Sequence, residues 1–250
     1  KVGLLKVRLY RPFSVKAFIS AIPASCKKIA VLDRTKEPGS IGEPLFTDVA
    51  TALYGKNIKI IGGRYGLSSK EFTPSMAKAV YDHLDGKAFH NFTVGINDDV
   101  TNLSIPVKDK IDVAPKDVIN CIFWGYGSDG TVGANKNSIK IIGENTDMNA
   151  QAYFVYDSKK SGGVTTSYLR FGKSSVNMPF LIDYADFIAC HNPAYIGRYD
   201  MLSAIKQGGT FLLNSEFDSA VVFEHLSKEE QKIIMDKKVK FYNINALKIA

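Results

Sequence analysis

The feature that most restricts the fold of this chain is an apolar segment that ends in a run of glycines. Residues Val118–Trp124 are mostly apolar, a length that suits a buried strand and is too short for a helix. Four glycines follow, at positions 125, 127, 130 and 133. Ala134–Glu144 then predicts a helix, and Ala152–Tyr156 predicts a second strand. This order predicts a βαβ unit with a right-handed crossover.

The glycine loop stands where ligands of open α/β sheets bind, outside the carboxyl end of a strand. Glycine lets the backbone adopt positive φ angles and approach a ligand closely. An anion in the loop would accept hydrogen bonds from the unpaired N–H groups of the first helical turn. The helix dipole would stabilise it by about 0.3–1 kcal/mol. Lys136 lies near the helix start, and Lys159 and Lys160 follow the second strand. The pattern predicts an anionic, nucleotide-like ligand.

The remaining chain predicts two α/β domains, each with a mostly parallel sheet flanked by helices. Residues 1–105 form the first domain, which is expected to begin with a strand at Leu4–Tyr10. Residues 106–117 are predicted to be a linker, and residues 118–250 to be a second domain that is truncated at its C-terminal end. Within it we predict a helix over Ala194–Gln207, and Ser227–Glu230 is typical of a capping box.

Composition excludes several classes of protein. Of the 250 residues, 45% are hydrophobic, which is ample for one or two cores, and no uncharged apolar run has the length of a membrane helix. The formal charge of +7 is scattered and accompanies no nucleic-acid-binding motif. The three cysteines (Cys26, Cys121 and Cys190) show no C-x-x-C spacing, which argues against disulfides and against a cysteine-ligated cluster within this chain. The histidines have no ligand spacing, so no metal site is predicted.

Five stretches resemble the interior of a pyruvate:ferredoxin (flavodoxin) oxidoreductase, in the order that the family has. They are Leu5–Pro12, Asp33–Ser40, Tyr65–Lys70, Gly127–Lys136 and Asp157–Thr165. Both ends of the sequence look cut, and we expect an interior fragment of a longer polypeptide. The resemblance implies a transketolase-C-terminal-like domain followed by a Rossmann-like gamma-type domain.

The resemblance also implies a function for the parent enzyme. Such enzymes are multidomain homodimers that oxidatively decarboxylate pyruvate on thiamine diphosphate, pass electrons through iron–sulfur clusters to ferredoxin or flavodoxin, and form acetyl-CoA. Because the parts that carry thiamine diphosphate and the clusters are missing here, this chain is expected to be inactive alone and to hold neither cofactor. Its expected partners are the other domains of the same polypeptide. The expected location is the cytoplasm or a hydrogenosome-like organelle.

The gamma-type domain is associated with coenzyme A in this family, so a partial coenzyme A site is expected here. Its predicted residues belong to the loop, to the helix that follows it and to the end of the second strand: Gly127, Ser128, Asp129, Gly130, Thr131, Asn135, Lys136, Lys159 and Lys160. No catalytic residue and no metal ligand is assigned.

Two other interpretations remain open at this stage. The glycine pattern also matches the dinucleotide fingerprint, with Asp157 where a ribose-binding acid belongs, although it lies 27 residues past Gly130 rather than about 20. This favours an NAD(P)-binding oxidoreductase domain as the rival, but Lys159 and Lys160 suit the extra phosphate of coenzyme A. A purely structural domain, with the loop around an internal carboxylate, is the second alternative.

Two further motifs are interpreted as structural. Ser128-Asp129-Gly130 resembles the G-D-G signature of thiamine diphosphate sites, but serine replaces the first glycine and no asparagine pair follows. Cys190 and His191 are adjacent on a strand and therefore point to opposite faces, which argues against a nucleophile and its base.

Overall fold

The computed structural model describes residues 2–96, 100–157 and 162–249. The chain divides into two compact units, unit 1 (residues 1–111) and unit 2 (residues 112–250). Both have the α/β architecture that the sequence predicts, with mostly parallel sheets flanked by helices. No helix in the described ranges combines the length and the apolar character needed to cross a membrane.

A parallel three-stranded sheet with strand order β1-β2-β3 forms the centre of unit 1. The strands are β1 (Lys28–Asp33), β2 (Lys59–Arg64) and β3 (Phe92–Thr93), and the helices are α1 (Val15–Ala21), α2 (Pro44–Ala52) and α3 (Pro74–Asp85). Both α2 and α3 begin with proline, whose fixed φ angle suits a first helical position. Buried apolar side chains form one cluster that includes Val49 and another that includes Phe92.

One local prediction for unit 1 is wrong. Leu4–Tyr10 is not a strand, and the side chains of Leu4 and Leu9 are 74% and 68% exposed rather than part of a core. Elsewhere in this unit, Gly62 and Gly63 lie inside β2. Gly63 is needed there because a Cβ atom would lie 2.2 Å from the ring of Phe92.

The carboxyl end of β1 in unit 1 is closed by a carboxylate of the chain itself. The buried Asp33 accepts hydrogen bonds from the amides of Leu45 at 2.8 Å and Phe46 at 3.1 Å, which are the second and third residues of α2. These bonds satisfy donors that a helix leaves open at its N-terminus. Burial raises the pKa of the Asp33 carboxyl, and the two amide bonds act in the opposite direction.

A buried ion pair fills the neighbouring space at the end of β2. Glu43 and Arg64 are 2% and 6% exposed and form a salt bridge. The other oxygen of Glu43 accepts the amide of Glu37 at 2.7 Å. The Nη1 atom of Arg64 donates to the carbonyl of Asn91 at 3.1 Å. Both charges therefore have partners inside the fold, as buried charges require.

Unit 2 is built on a six-stranded sheet with strand order β5-β6-β4-β7-β8-β9. The elements are β4 (Ile119–Tyr126), α4 (Thr131–Asn145), β5 (Asn149–Tyr156), β6 (Val164–Gly172), β7 (Ala185–Cys190), β8 (Ile205–Asn214), α5 (Lys228–Asp236) and β9 (Lys240–Ile244). The run β4-β7-β8-β9 is parallel, whereas β6 is antiparallel to both of its neighbours. The capping box at Ser227 and Glu230 is confirmed.

The predicted βαβ unit takes a split form. Strands β4 and β5 run in the same direction, but β6 lies between them and pairs with both. β5 and β6 are therefore antiparallel neighbours, a pairing that the sequence did not predict.

The helix predicted over Ala194–Gln207 is wrong. A short 3₁₀ turn occupies Pro193–Tyr195, and β8 already begins at Ile205. Gly197 has a φ angle of 68°, and the side chain of Asp200 accepts the amide of Ser203 at 3.1 Å. Such local bonds and a left-handed glycine compete with helix formation.

Candidate ligand-binding site

A pocket of about 330 Å³ opens at the carboxyl end of β4. We call it the loop pocket. Its lining comes from the end of β4, the glycine loop, the first turn of α4 and the facing ends of β5 and β6: Tyr126, Gly127, Ser128, Asp129, Gly130, Val132, Gly133, Tyr156, Asp157, Gly163, Val164 and Thr165. The predicted loop thus forms one side of a cavity of molecular size.

Part of the loop backbone is occupied by bonds within the chain. The amide of Gly127 donates to the carbonyl of Gly163 at 2.8 Å, which joins the loop to the start of β6. The carboxylate of Asp129 accepts the amides of Tyr126 at 2.7 Å and Thr131 at 2.8 Å. An internal carboxylate therefore satisfies one donor of the first helical turn, which is a feature of the structural alternative.

Other amides of the loop and of the first turn of α4 remain open. Gly130 is the N-cap residue, with a φ angle of 87°. Because glycine has no side chain, it forms no side-chain capping bond. Within the described ranges, the amides of Ser128, Gly130, Val132 and Gly133 have no protein acceptor. Unpaired N–H groups at a helix N-terminus are a suitable site for an anion.

The side of α4 that faces the sheet is held by a close packing contact and a side-chain bond. A Cβ atom at Gly125 would lie 2.6–2.7 Å from the side-chain atoms of Thr131, so only glycine allows α4 to start this close to β4. The Thr131 hydroxyl lies 2.8 Å from Nδ1 of His191, the residue after β7. Burial lowers the pKa of His191, and the Asp129 carboxylate acts in the opposite direction.

Three buried polar side chains, one in α4 and two in β6, each have one atom without a described partner. They are Asn135 through Nδ2, Thr165 through Oγ1 and Ser167 through Oγ. Thr165 also lines the loop pocket and is 6% exposed. A buried polar group without a partner costs about 1–3 kcal/mol, so such groups normally meet a ligand or an ordered water.

The predicted cations have different positions. Lys136 is exposed and its Nζ atom lies 5.4 Å from the centre of the Phe154 ring, outside the pocket lining. Lys159 and Lys160 lie outside the described residues. In its described part, the pocket lining carries two carboxylates, Asp129 and Asp157, and no cationic side chain.

The structure brings part of the predicted set together. Gly127, Ser128, Asp129 and Gly130 line the loop pocket, whereas Thr131 and Asn135 are buried and do not belong to its lining. The assignment of these residues to a ligand stays a prediction. The contributions of Tyr126, Tyr156 and Gly163 to the lining were not predicted, nor was the bond between His191 and α4. The place of His191 at this edge could have been predicted, because it follows a parallel strand, but its bond to Thr131, 60 residues away, could not.

Cys190 and His191 have separate surroundings. Cys190 is fully buried and its thiol donates to the carbonyl of Asn192 at 3.1 Å, and burial raises its pKa to about 12. Its neighbour His191 bonds to Thr131 on the opposite face. Across the described ranges, no three His, Cys, Asp or Glu side chains converge as a metal site would require.

Two family models match the chain. The model described as pyruvate ferredoxin/flavodoxin oxidoreductase matches residues 120–250, which is more than half of the sequence. The model described as pyruvate:ferredoxin oxidoreductase core domain II matches residues 1–77.

Curated relatives align with the whole chain. The pyruvate:ferredoxin oxidoreductase of Moorella thermoacetica is 62% identical over 253 residues, which is 100% of this chain and 22% of that protein. The pyruvate-flavodoxin oxidoreductase of Trichormus variabilis is 54% identical over 256 residues, with the same shares. The mitochondrial pyruvate dehydrogenase [NADP(+)] of Euglena gracilis is 48% identical and is covered to 14%. The chain thus spans about a fifth of the length of the first two relatives. It belongs to the pyruvate ferredoxin/flavodoxin oxidoreductase family.

Proposed function

We propose that unit 2 contributes the phosphate-binding part of a coenzyme A site. The enzyme that contains it would oxidatively decarboxylate pyruvate to acetyl-CoA and pass the electrons to ferredoxin or flavodoxin. The observation that carries the proposal is the set of open amides at Ser128, Gly130, Val132 and Gly133 beside a pocket of about 330 Å³. Coenzyme A carries a pyrophosphate and a ribose phosphate, which are the groups that such amides bind.

Three lysines are proposed to supply the positive charge that a phosphate ligand needs. Because the Asp129 and Asp157 carboxylates line the pocket, a phosphate there needs cations in addition to the amides. Lys159 and Lys160 stand two and three residues after Asp157 in the sequence, and Lys136 is an exposed residue of α4. We assign these three lysines to the ligand phosphates as exposed point charges.

Binding energy at this site would serve positioning. Binding of the phosphates would hold coenzyme A in place while its thiol reaches an acetyl group formed elsewhere in the enzyme. Thiamine diphosphate and the iron–sulfur clusters belong to other parts of the polypeptide in this proposal, and this chain alone is inactive. Its partners would be those other domains and a second copy of the enzyme, in the cytoplasm or in a hydrogenosome-like organelle.

The dinucleotide alternative fits the strand order less well. In a dinucleotide-binding fold, the strand before the glycine loop lies beside the strand that ends in the ribose-binding acid. Here β6 separates β4 from β5, although Asp157 still lines the pocket. The name of the Euglena gracilis relative includes NADP(+), so NADP⁺ is the control ligand in binding titrations.

The proposal is tested in the full-length enzyme by replacing Lys159 and Lys160 with alanine. The KM for coenzyme A should rise about tenfold, on the scale of two exposed charge contacts, while the KM for pyruvate changes little. The effect should shrink as salt is raised, because exposed charges are screened over about 8–10 Å.

The matched control replaces Lys140 and Lys232, which are exposed on α4 and α5 and form helical ion pairs with Glu144 and Asp236. This variant should keep both KM values. An unchanged KM for coenzyme A in the Lys159 and Lys160 variant would make those lysines surface residues and would favour the structural interpretation of the loop.

A further inference from the structure

His191 lies outside the lining of the loop pocket but is bonded to the helix that forms it. Its own backbone is fixed on two sides. Its amide donates to the carbonyl of Trp124 at 2.9 Å, and its carbonyl accepts Nδ2 of Asn214 at 3.1 Å. The imidazole therefore extends from a rigid part of the sheet, at the ends of β4, β7 and β8.

The partner of this imidazole is the first residue of α4. Thr131 is 5% exposed, its hydroxyl lies 2.8 Å from Nδ1 of His191, and its amide donates to the Asp129 carboxylate at 2.8 Å. The next two amides along the helix, those of Val132 and Gly133, are the open donors of the pocket. The direction of these two amides depends on how the Thr131 side chain is held.

We propose that His191 is a positioning residue for the anion site, and that its bond to Thr131 fixes the first turn of α4 so that the open amides face the pocket. This inference rests on the proposed function for its ligand. It assigns to His191 no contact with coenzyme A and no part in proton transfer.

The charge state of His191 provides a readout that a packing role does not. The groups facing its ring are Phe123 from β4, Thr131 from α4 and the Asp129 carboxylate from the loop. In the free protein, burial lowers the pKa of His191 from its ordinary value. A bound anion favours the protonated ring, so the affinity should rise by about two- to fivefold as the pH falls below about 6.5.

The experiment measures coenzyme A binding to the full-length protein by calorimetry at several pH values between 5.5 and 7.5. His191→Leu and Thr131→Val should each weaken binding about three- to tenfold at pH 7.5, the range for one lost hydrogen bond. His191→Gln and Thr131→Ser, which keep a polar partner, should restore most of the affinity. Relative to the parent, His191→Gln should lose the gain in affinity at low pH. His225→Gln, a histidine of the same unit stacked on Phe217, is the control.

A second measurement separates this inference from the proposed function. The amide of Ala134 donates to the carbonyl of Gly130 at 2.9 Å and reports on the first turn of α4 without any ligand. Its hydrogen exchange should accelerate about three- to tenfold in His191→Leu and Thr131→Val but not in the two polar variants. If the parent protein does not bind coenzyme A, the proposed function fails and the exchange rates still decide the positioning role. Equal exchange in all variants, or a His191→Leu protein with the affinity and pH profile of the parent, would overturn it.

Discussion

The carboxyl ends of the parallel strands look alike in the two units by sequence but differ in the structure. In unit 1, the Asp33 carboxylate accepts hydrogen bonds from the amides of Leu45 and Phe46 at the start of α2. In unit 2, the Asp129 carboxylate accepts a hydrogen bond from only one amide of the first turn of α4, that of Thr131. The amides of Val132 and Gly133 have no acceptor among the described residues. Both edges have a carboxylate near a helix N-terminus, but one is closed and the other is open.

The difference shows what converts a common topological position into a site. Every parallel α/β sheet offers helix N-termini at one edge, but their donors bind a ligand only if the chain does not use them. The closed edge gains stability from its internal bonds. The open edge forgoes that stability and keeps a cavity, so the two edges should respond differently to substitution.

The largest effect is expected at the buried ion pair of the closed edge. Replacing Glu43 with alanine leaves the buried guanidinium of Arg64 without its carboxylate and should lower the free energy of unfolding of unit 1 by about 3–5 kcal/mol. Urea denaturation, followed by probes in unit 1, measures the change. A control at Asp82, which forms an exposed helical pair with Lys78, should lose less than about 1 kcal/mol. Equal losses at the two positions would mean that burial of the pair is unimportant.

A smaller effect is expected at the contact that sets the open edge. Replacing Gly125 with alanine places a methyl group 2.6–2.7 Å from Thr131 atoms, and should cost about 1–3 kcal/mol by displacing the start of α4. Coenzyme A binding should fall with it. The control is Gly143→Ala in the same helix, where a Cβ atom would meet only the side chain of Ala150 at 3.8 Å; it should be neutral or stabilising. A Gly125→Ala protein with unchanged binding would argue that the position of α4 does not matter.

Replacement of Asp33 by asparagine should have a modest and pH-dependent effect. Asparagine has one acceptor oxygen where Asp33 has two, so the amide bond to Leu45 or to Phe46 is lost, which should cost about 0.5–1.5 kcal/mol. Because burial raises the folded-state pKa of Asp33, its favourable contribution is complete below the unfolded pKa of about 3.9 and is lost as the pH rises through the folded value. The stability difference between the two proteins should therefore shrink with rising pH. Urea unfolding from pH 3 to pH 7 tests this, and a difference that grows with pH would contradict it.

The last prediction leaves the sequence unchanged. If the chain consists of two separable domains, limited proteolysis should cut first between residues 98 and 116 and should spare Val118–Tyr156. Mass spectrometry of the early fragments locates the cut. First cleavage within Val118–Tyr156 would contradict the proposed domain boundary.

The sequence predicted the edge of unit 2 well because its signals are local. A buried strand, a glycine loop and a helix require only neighbouring residues. β4 and α4 overlap the predicted segments, although β4 extends to Tyr126 and α4 already begins at Thr131. The α/β class follows from the alternation of such elements. The capping box at Ser227 likewise depends on residues three positions apart.

Features that depend on distant residues were not predictable. The position of β6 between β4 and β5 depends on pairing across the whole sheet. The sequence pattern of β6 does not indicate which strands will be its neighbours. The bond between Thr131 and His191 joins residues 60 positions apart. The closed edge at Asp33 required knowledge that its carboxylate turns towards α2 rather than towards solvent. In each case, the deciding contact is tertiary.

The most direct test of the difference between the two edges is a titration of coenzyme A into the ¹⁵N-labelled chain, followed by amide chemical shifts. We expect concentration-dependent shifts at the open amides of Ser128, Gly130, Val132 and Gly133. The amides of Leu45 and Phe46, which Asp33 already occupies, should stay unchanged, and added salt should weaken the response. Shifts at the α2 amides in place of those at α4, or no shift at the α4 amides with ligand in large excess, would contradict the assignment of the open edge as the coenzyme A site.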